Sequence, residues 1–356
     1  MVHLTLGKPK LCDVVFLLYT KYILPAFVLI VLASSGCINA GGETGYVPQV
    51  REYFIAAEDV EWDYAPSGKD LMTGSPLPSP WGDQTKYEKT RFTEYADDTF
   101  MQKKPQPEWL GILGPVIRGV EGDTIQVHFY NKSSKPRSIH PHGLLYDIDN
   151  EGAGAGKGAI IEPGEKYTYA WKVDSGSAPG PNEGSSKVWL YHSHVDAVGD
   201  IYDGLIGPII VTSAEHARID ATPNDVDKEF IALFMVFNES DDDTPEEEVE
   251  GHLKHAINGY ISGNLMGLEL DEGDKVRWHL IGLGTEVDLH TAHWHGETVT
   301  MNGRNTDVIE LLPATMVSVD MLADNPGEWM LHCHVADHIT AGMISTYKIN
   351  PKEVIS

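Results

Sequence analysis

After about Gly45, apolar and polar residues alternate with a period of two in short runs, interrupted by Gly, Pro, Asn and Asp. Successive side chains on an extended strand point to opposite faces, so this pattern predicts half-buried strands joined by tight turns. Long stretches with helical spacing of apolar positions are scarce. The expected fold class is all-β. Two runs, Thr124–Tyr130 and Lys275–Leu280, alternate in the same way, and each follows a Gly-Asp pair, Gly122-Asp123 and Gly273-Asp274. They look like one strand written twice.

The repetition extends beyond that strand. His140-Pro141-His142-Gly143 follows the first run and His293-Trp294-His295-Gly296 the second, at nearly equal spacing. Later, Trp189-Leu190-Tyr191-His192-Ser193-His194 matches Trp329-Met330-Leu331-His332-Cys333-His334. Such agreement predicts two homologous β-sandwich domains, residues 46–213 and 228–350, joined by the polar stretch 213–227. The acidic run Asp241–Glu248 reads as a solvated surface loop. Asn131-Lys132-Ser133 and Asn238-Glu239-Ser240 match the glycosylation sequon, a pattern too short to carry weight alone.

Upstream of the alternating region, residues 22–36 are mainly apolar, follow Lys8, Lys10 and Lys21, and end in small residues. This is the form of a signal sequence, and residues 1–37 are expected to direct export. Cys37 sits where a lipid-attachment cysteine would, and a retained membrane anchor is the other reading. The net charge of -27 argues against nucleic acid as a partner. Of the three cysteines, Cys12 and Cys37 fall in the leader and Cys333 alone in the body, so no internal disulfide framework is possible there.

Cys333 has unusual company. The stretch Leu331–Met343 holds a thiol, the imidazoles of His332, His334 and His338, and the Met343 thioether. Soft sulfur donors combined with imidazole suit copper that cycles between Cu(I) and Cu(II). On a strand, Cys333 would face one way and His332 and His334 the other, so the segment would serve two metal sites on the order of 10 Å apart. With His140/His142, His192/His194 and His290/His293/His295, four histidine-rich clusters stand at matching places of the repeat. That recurrence, more than any single cluster, points to metal.

These clusters resemble those of the multicopper oxidases. Asp63-Tyr64, Leu113-Gly114-Pro115, Asn150-Glu151-Gly152, Gly204–Pro208 and His255–Gly259 are similar to the ceruloplasmin and hephaestin branch of that family. The resemblance implies two cupredoxin-like Greek-key domains in a two-domain, laccase-type arrangement. It implies four coppers per chain: a type 1 copper on His290, Cys333, His338 and Met343; a type 2 copper on His140 and His293; and a type 3 pair on His142, His192, His194, His295, His332 and His334. The first domain has Arg137, Ser193, Val198 and Asp203 where the second has the type 1 ligands, and is therefore expected to hold cluster ligands only.

The implied activity couples one-electron oxidation of a small reductant to four-electron reduction of dioxygen to water. Asp288 and Asp337 stand near the ligands, where an acid could relay protons or hold an imidazole. In ceruloplasmin-like proteins a small site for Fe(II) flanks the type 1 copper, and its matching positions here are Glu250, His255 and Asp337. Phenols, Cu(I) and small nitrogen compounds are competing donors. A two-domain copper nitrite reductase would not need the six type 3 histidines, and a non-catalytic copper protein would tolerate missing ligands. The resemblance also implies that the cluster closes only between domains of different chains, predicting a homotrimer.

Overall fold

The computed structural model describes residues 45–285 and 288–352. The expected leader, with Cys12 and Cys37, lies outside the described residues. Residues 50–212 supply β1 (Val50–Asp63), β2 (Lys86–Tyr95), β3 (Ile117–Val120), β4 (Thr124–Asn131), β5 (His140–Pro141), β6 (Lys166–Lys172), β7 (Ser186–His192) and β8 (Ile206–Thr212). They form two sheets, β2-β1-β4-β6 and β3-β8-β7-β5, with Ile55, Val127, Phe129, Trp171 and Ile209 in the core they share.

Residues 228–350 supply β9 (Lys228–Asn238), β10 (Leu253–Ile257), β11 (Glu269–Asp271), β12 (Lys275–Gly282), β13 (His290–Trp294), β14 (Val299–Met301), β15 (Arg304–Thr306), β16 (Val308–Leu311), β17 (Thr315–Leu322), β18 (Gly327–Cys333) and β19 (Ile344–Asn350). Their sheets run β10-β9-β12-β17-β14-β15 and β11-β19-β18-β13-β16. The pairing repeats that of the first half. β1 runs parallel to β4 as β9 does to β12, and β3 runs parallel to β8 as β11 does to β19. Three short helices interrupt the strands: α1 (Gly199–Asp203), α2 (Val249–His252) and α3 (Ala336–Thr340). Among the described residues no helix is long and apolar enough to cross a membrane.

The two repeated strands differ in burial. β4 alternates buried and half-buried positions along its length, as its sequence predicts. β12 is buried from Val276 to Gly282, because both of its faces are covered. Trp278 and Leu280 face the core of the second half. On the other face Arg277 meets Asp320, Ser185 and Ser186, and His279 meets Glu229 and Ser318. The alternation survives, but its polar side faces the junction between halves instead of water.

Apolar side chains fill the rest of that junction. Leu190, Ile206 and Ile210 from the first half share one cluster with Ile231, Leu233 and Met235 from the second. At its edge Gly111 has φ +58, and a Cβ there would lie 2.0 Å from the Asn258 carbonyl oxygen, so only glycine fits. The linking stretch 213–227 contains no strand. Of the two sequon asparagines, Asn131 is fully buried and its amide donates to the Lys135 and Ile161 carbonyls, which removes it as a glycan acceptor.

Candidate metal centres

β13 and β18 pair side by side, with Ala292 opposite Cys333 and His293 opposite His332. Alternation along them sorts the ligands onto two faces. Inward, Cys333 joins the core, His290 comes from the start of β13, and α3 delivers His338. The Cys333 Sγ lies 3.9 Å from His290 Nδ1 and 3.6 Å from His338 Nδ1, and the two nitrogens are 3.1 Å apart. A metal about 2.0–2.3 Å from each donor fits a triangle of that size. All three residues are buried. Met343, fully buried in the same core, is tied to them through its backbone: it accepts from the Cys333 amide at 3.0 Å and donates to the His338 carbonyl at 3.0 Å.

Burial alone would push the Cys333 thiol up, but His290, His338 and the amides of Thr291 and Val335 together bring it down to about 6. The site therefore favours the thiolate, the form that binds metal. Asp288, 1% exposed, has Oδ1 at 3.4 Å from His290 Nε2, a charge contact whose alignment falls short of a hydrogen bond. Its carboxylate also accepts from the Val236 and Thr285 amides at 2.8 Å each. Burial raises the Asp288 carboxyl, yet His290 and those amides hold it below its usual value.

Outward, His293, His295, His332 and His334 group together, with His295 Nε2 at 3.0 Å and His293 Nδ1 at 3.2 Å from His332 Nε2. His334 packs against His293 with ring centroids 5.1 Å apart. The first half builds a matching set: His142 Nε2 lies 3.2 Å from His192 Nε2, and His140 and His194 pack within 5.4 Å of each other. Backbone carbonyls fix several of these rings. The Nδ1 atoms of His140, His192 and His332 face the carbonyls of Glu151, Ser193 and Cys333 at 2.6, 2.8 and 2.8 Å. With the proton held on Nδ1, each ring presents an Nε2 lone pair.

Burial, reinforced by neighbouring imidazoles, lowers His142 and His192 to about 4, so these rings are neutral near pH 7. Facing lone pairs about 3 Å apart repel unless a proton or a metal lies between them. The donor set fits copper.

Among the described residues, no hydrogen bond or ring contact joins His140, His142, His192 or His194 to His293, His295, His332 or His334. Nor do the donor atoms of Glu250, His255 and Asp337 gather within 4.8 Å of one another, as those of the three histidine-rich sets do. Glu250 is exposed and accepts from Trp81 Nε1 at 3.0 Å; Asp337 is exposed on α3; His255 is buried against His338, ring centroids 5.0 Å apart.

In the first half, Arg137 is buried and paired with Asp200 and Asp203, while Ser193 Oγ donates to Asp200 at 2.5 Å. A guanidinium and two carboxylates thus occupy the place that corresponds to the Cys333 set. Asp200, the centre of that network, escapes sequence reasoning because it has no counterpart among the metal ligands. Asp307 escapes it for another reason: it sits in the bend between β15 and β16, away from any histidine in sequence, yet lies 3.5 Å from His293 Nε2.

Two family models match the chain, both described as multicopper oxidase, over residues 109–216 and 239–353. Between them they cover more than half of it. The chain belongs to the multicopper oxidases. Among its relatives, human "Ferroxidase HEPHL1" is 35% identical over 91% of this chain and 30% of its own length. Human hephaestin is 37% identical over 84% of this chain and 29% of its own, and human ceruloplasmin 37% over 85% and 31%. The chain thus spans about three tenths of the length of these relatives. The blue copper oxidase from Nitrosomonas europaea has the same fold, with a TM-score of 0.60 at 24% identity, covering 86% of this chain and 87% of that one. A second multicopper oxidase structure has a TM-score of 0.61 at 21% identity over 85% and 89%. As a multicopper oxidase, the chain is expected to carry copper.

Proposed function

We propose that this multicopper oxidase is an exported enzyme that takes electrons singly from a small reductant and reduces dioxygen to water. The observation that carries the reading is on β18: Cys333 belongs to the inward set and its neighbours His332 and His334 to the outward one, so one strand links a site for electron uptake to a site for oxygen. Copper, when bound, supplies the one-electron redox chemistry. Its ligands in this reading are His290, Cys333, His338 and Met343 for type 1, His140 and His293 for type 2, and His142, His192, His194, His295, His332 and His334 for the type 3 pair. The two halves of the fold, residues 46–213 and 228–350, are read as two cupredoxin domains.

The chain's own groups define how such a site works. Asp288 holds His290 in orientation from behind, and the carbonyls of Glu151, Ser193 and Cys333 keep three cluster rings in the tautomer that binds metal. Because no hydrogen bond or ring contact joins the outward sets among the described residues, we place the finished cluster between chains, in a cyclic homotrimer. A heterologous contact that closes by rotation gives a ring.

Fe(II) is the reductant favoured here. Three lines support it: relatives named ferroxidases, the exposed carboxylates of Glu250 and Asp337, and a His255 Nδ1 that is buried without a hydrogen-bond partner against the ring of His338. Oxygen uptake by the copper-loaded protein, measured side by side with Fe(II), Cu(I), a phenol and hydroxylamine, tests both levels. Four electrons consumed per dioxygen with any donor supports the oxidase, and a Glu250→Ala or Asp337→Ala variant that raises the KM for Fe(II) far more than for a phenol supports the iron site. Equal losses for both donors would remove it.

A further inference from the structure

Among the described residues, buried Lys89, Arg137 and Arg277 and half-buried Arg51 each have a carboxylate, whereas buried Lys254 donates to the Trp81 and Gly251 carbonyls. Arg51 pairs with Asp123, Arg137 with Asp200, Arg277 with Asp320 and Lys89 with Glu239. Half-buried Arg91 has none: among the described residues no acid lies within ion-pair distance of it. Its Nη2 donates to the carbonyls of Gly111 and Leu113 at 3.0 and 3.1 Å, and its Cζ lies 5.7 Å from the centre of the Trp62 ring. Its Nε is buried without any partner. Burial draws Arg91 below its usual pKa, whereas Arg51 and Arg277 are raised by their carboxylates despite burial. Removing a guanidinium from water without a counter-ion is costly.

The guanidinium lines a cavity of about 370 Å3 in the first half, and Lys103 and Lys104 line the same space. Glu94 is the one acid on its wall, and Lys104 already neutralises it at 2.6 Å. Apart from Thr93 and Gln106, the rest of the lining is apolar, with Val60, Pro105, Pro107, Leu110, Pro115 and Val116. Lys103 is likewise paired with Glu58 at 2.7 Å, so the charge left over in the cavity is that of Arg91, in a chain of 53 acidic and 26 basic residues. None of its lining residues belongs to the histidine-rich sets.

We propose that this cavity binds a small organic carboxylate with an apolar body, its carboxylate supplying the counter-charge for Arg91 and its body lying against the prolines. Guanidinium recognises carboxylate by charge-assisted hydrogen bonds, while the apolar wall discriminates against inorganic oxyanions of the same charge. The carbonyls that Arg91 holds belong to Gly111 and Leu113, on either side of Ile112, whose amide bonds the Asn258 carbonyl of the second half at 3.0 Å. Occupancy of the cavity therefore braces the junction between the halves and raises the melting temperature.

Benzoate is a suitable probe, with benzylamine and inorganic phosphate as controls of opposite charge and missing apolar body. Calorimetric titration of the copper-loaded protein should show one saturable benzoate site per chain, no benzylamine binding, and phosphate weaker than benzoate by about tenfold or more. Arg91→Met should weaken benzoate binding by about tenfold or more. The double variant Lys103→Ser/Lys104→Ser, at exposed positions that leave the junction intact, should weaken it by a smaller factor and leave the copper absorption unchanged. No saturable binding by the wild-type protein, including the case in which another copy of the chain fills the cavity, would overturn the proposal. Binding unaffected by both sets of variants would overturn it as well.

Discussion

Cys333 shows how a single residue can be read from sequence and still gain meaning from its surroundings. A lone cysteine is most often a small buried hydrophobe, and only its histidine neighbours made it a ligand candidate. The structure adds that two imidazoles and two amides stabilise its thiolate against the cost of burial. Copper loading of the wild-type protein should produce an intense blue absorption, absent in Cys333→Ser while the other coppers stay bound; a loaded wild-type protein without that band would refute the type 1 assignment. Met343→Leu should keep the colour and raise the reduction potential in a redox titration, since losing a thioether donor disfavours Cu(II). The cluster rings make a pH prediction. His142 and His192, held near 4, contribute stability that is fully present above the unfolded value of about 6.5 and is lost as pH falls from there toward 4. The melting temperature of the copper-free protein should therefore drop across that window, and His142→Gln/His192→Gln should flatten the drop.

At the scale of the element, β12 separates what the sequence could tell from what it could not. Its alternation marked it correctly as a strand and as the partner of β4, since period-two patterning reports strand geometry directly. It could not report that the polar face is buried, because that depends on a second half of the molecule packing against it. The same limit hid Glu229, which accepts from Arg118 at 2.8 Å and from His279 at 2.9 Å at the junction. Burial opposes ionisation of Glu229, but His279 and Arg118 outweigh it and hold the carboxyl at about 2. Its stabilising effect is complete above about pH 4.5 and is lost as pH falls toward 2. Glu229→Ala removes the shared acceptor of buried His279 and Ser186 and of half-buried Arg118, and should cost about 3–5 kcal/mol, seen in urea unfolding at pH 7. The variant should also show a shallower loss of stability than the wild type between pH 4.5 and 2. The candidate copper ligands could be named from the sequence because each stands in a local motif. Glu250, His255 and Asp337 come from separate segments, and only their resemblance to a family pattern linked them.

For the whole molecule, the decisive geometry is that, among the described residues, no hydrogen bond or ring contact joins the two outward histidine sets of a chain. In the proposed assembly the four imidazoles of the first half and the four of the second share coppers between chains, because within a chain the halves are held together by the apolar junction of Leu190, Ile206, Ile231 and Leu233 and the polar contacts of Arg277 and Glu229. Opening that junction to bring the sets together would expose a large part of the core. In the proposed homotrimer, docking the first half of one chain against the second half of the next costs no such exposure, and repetition of the contact closes the ring. Complementation tests this directly. Chains carrying His140→Ala/His142→Ala and chains carrying His332→Ala/His334→Ala should each assemble into inactive trimers. Unfolded together and refolded as mixtures, they should regain part of the wild-type oxygen uptake, because some interfaces then unite an intact first half with an intact second half. Verified mixed trimers without regained activity, or a wild-type protein that is monomeric and fully active at nanomolar concentration, would show that the cluster closes inside one chain.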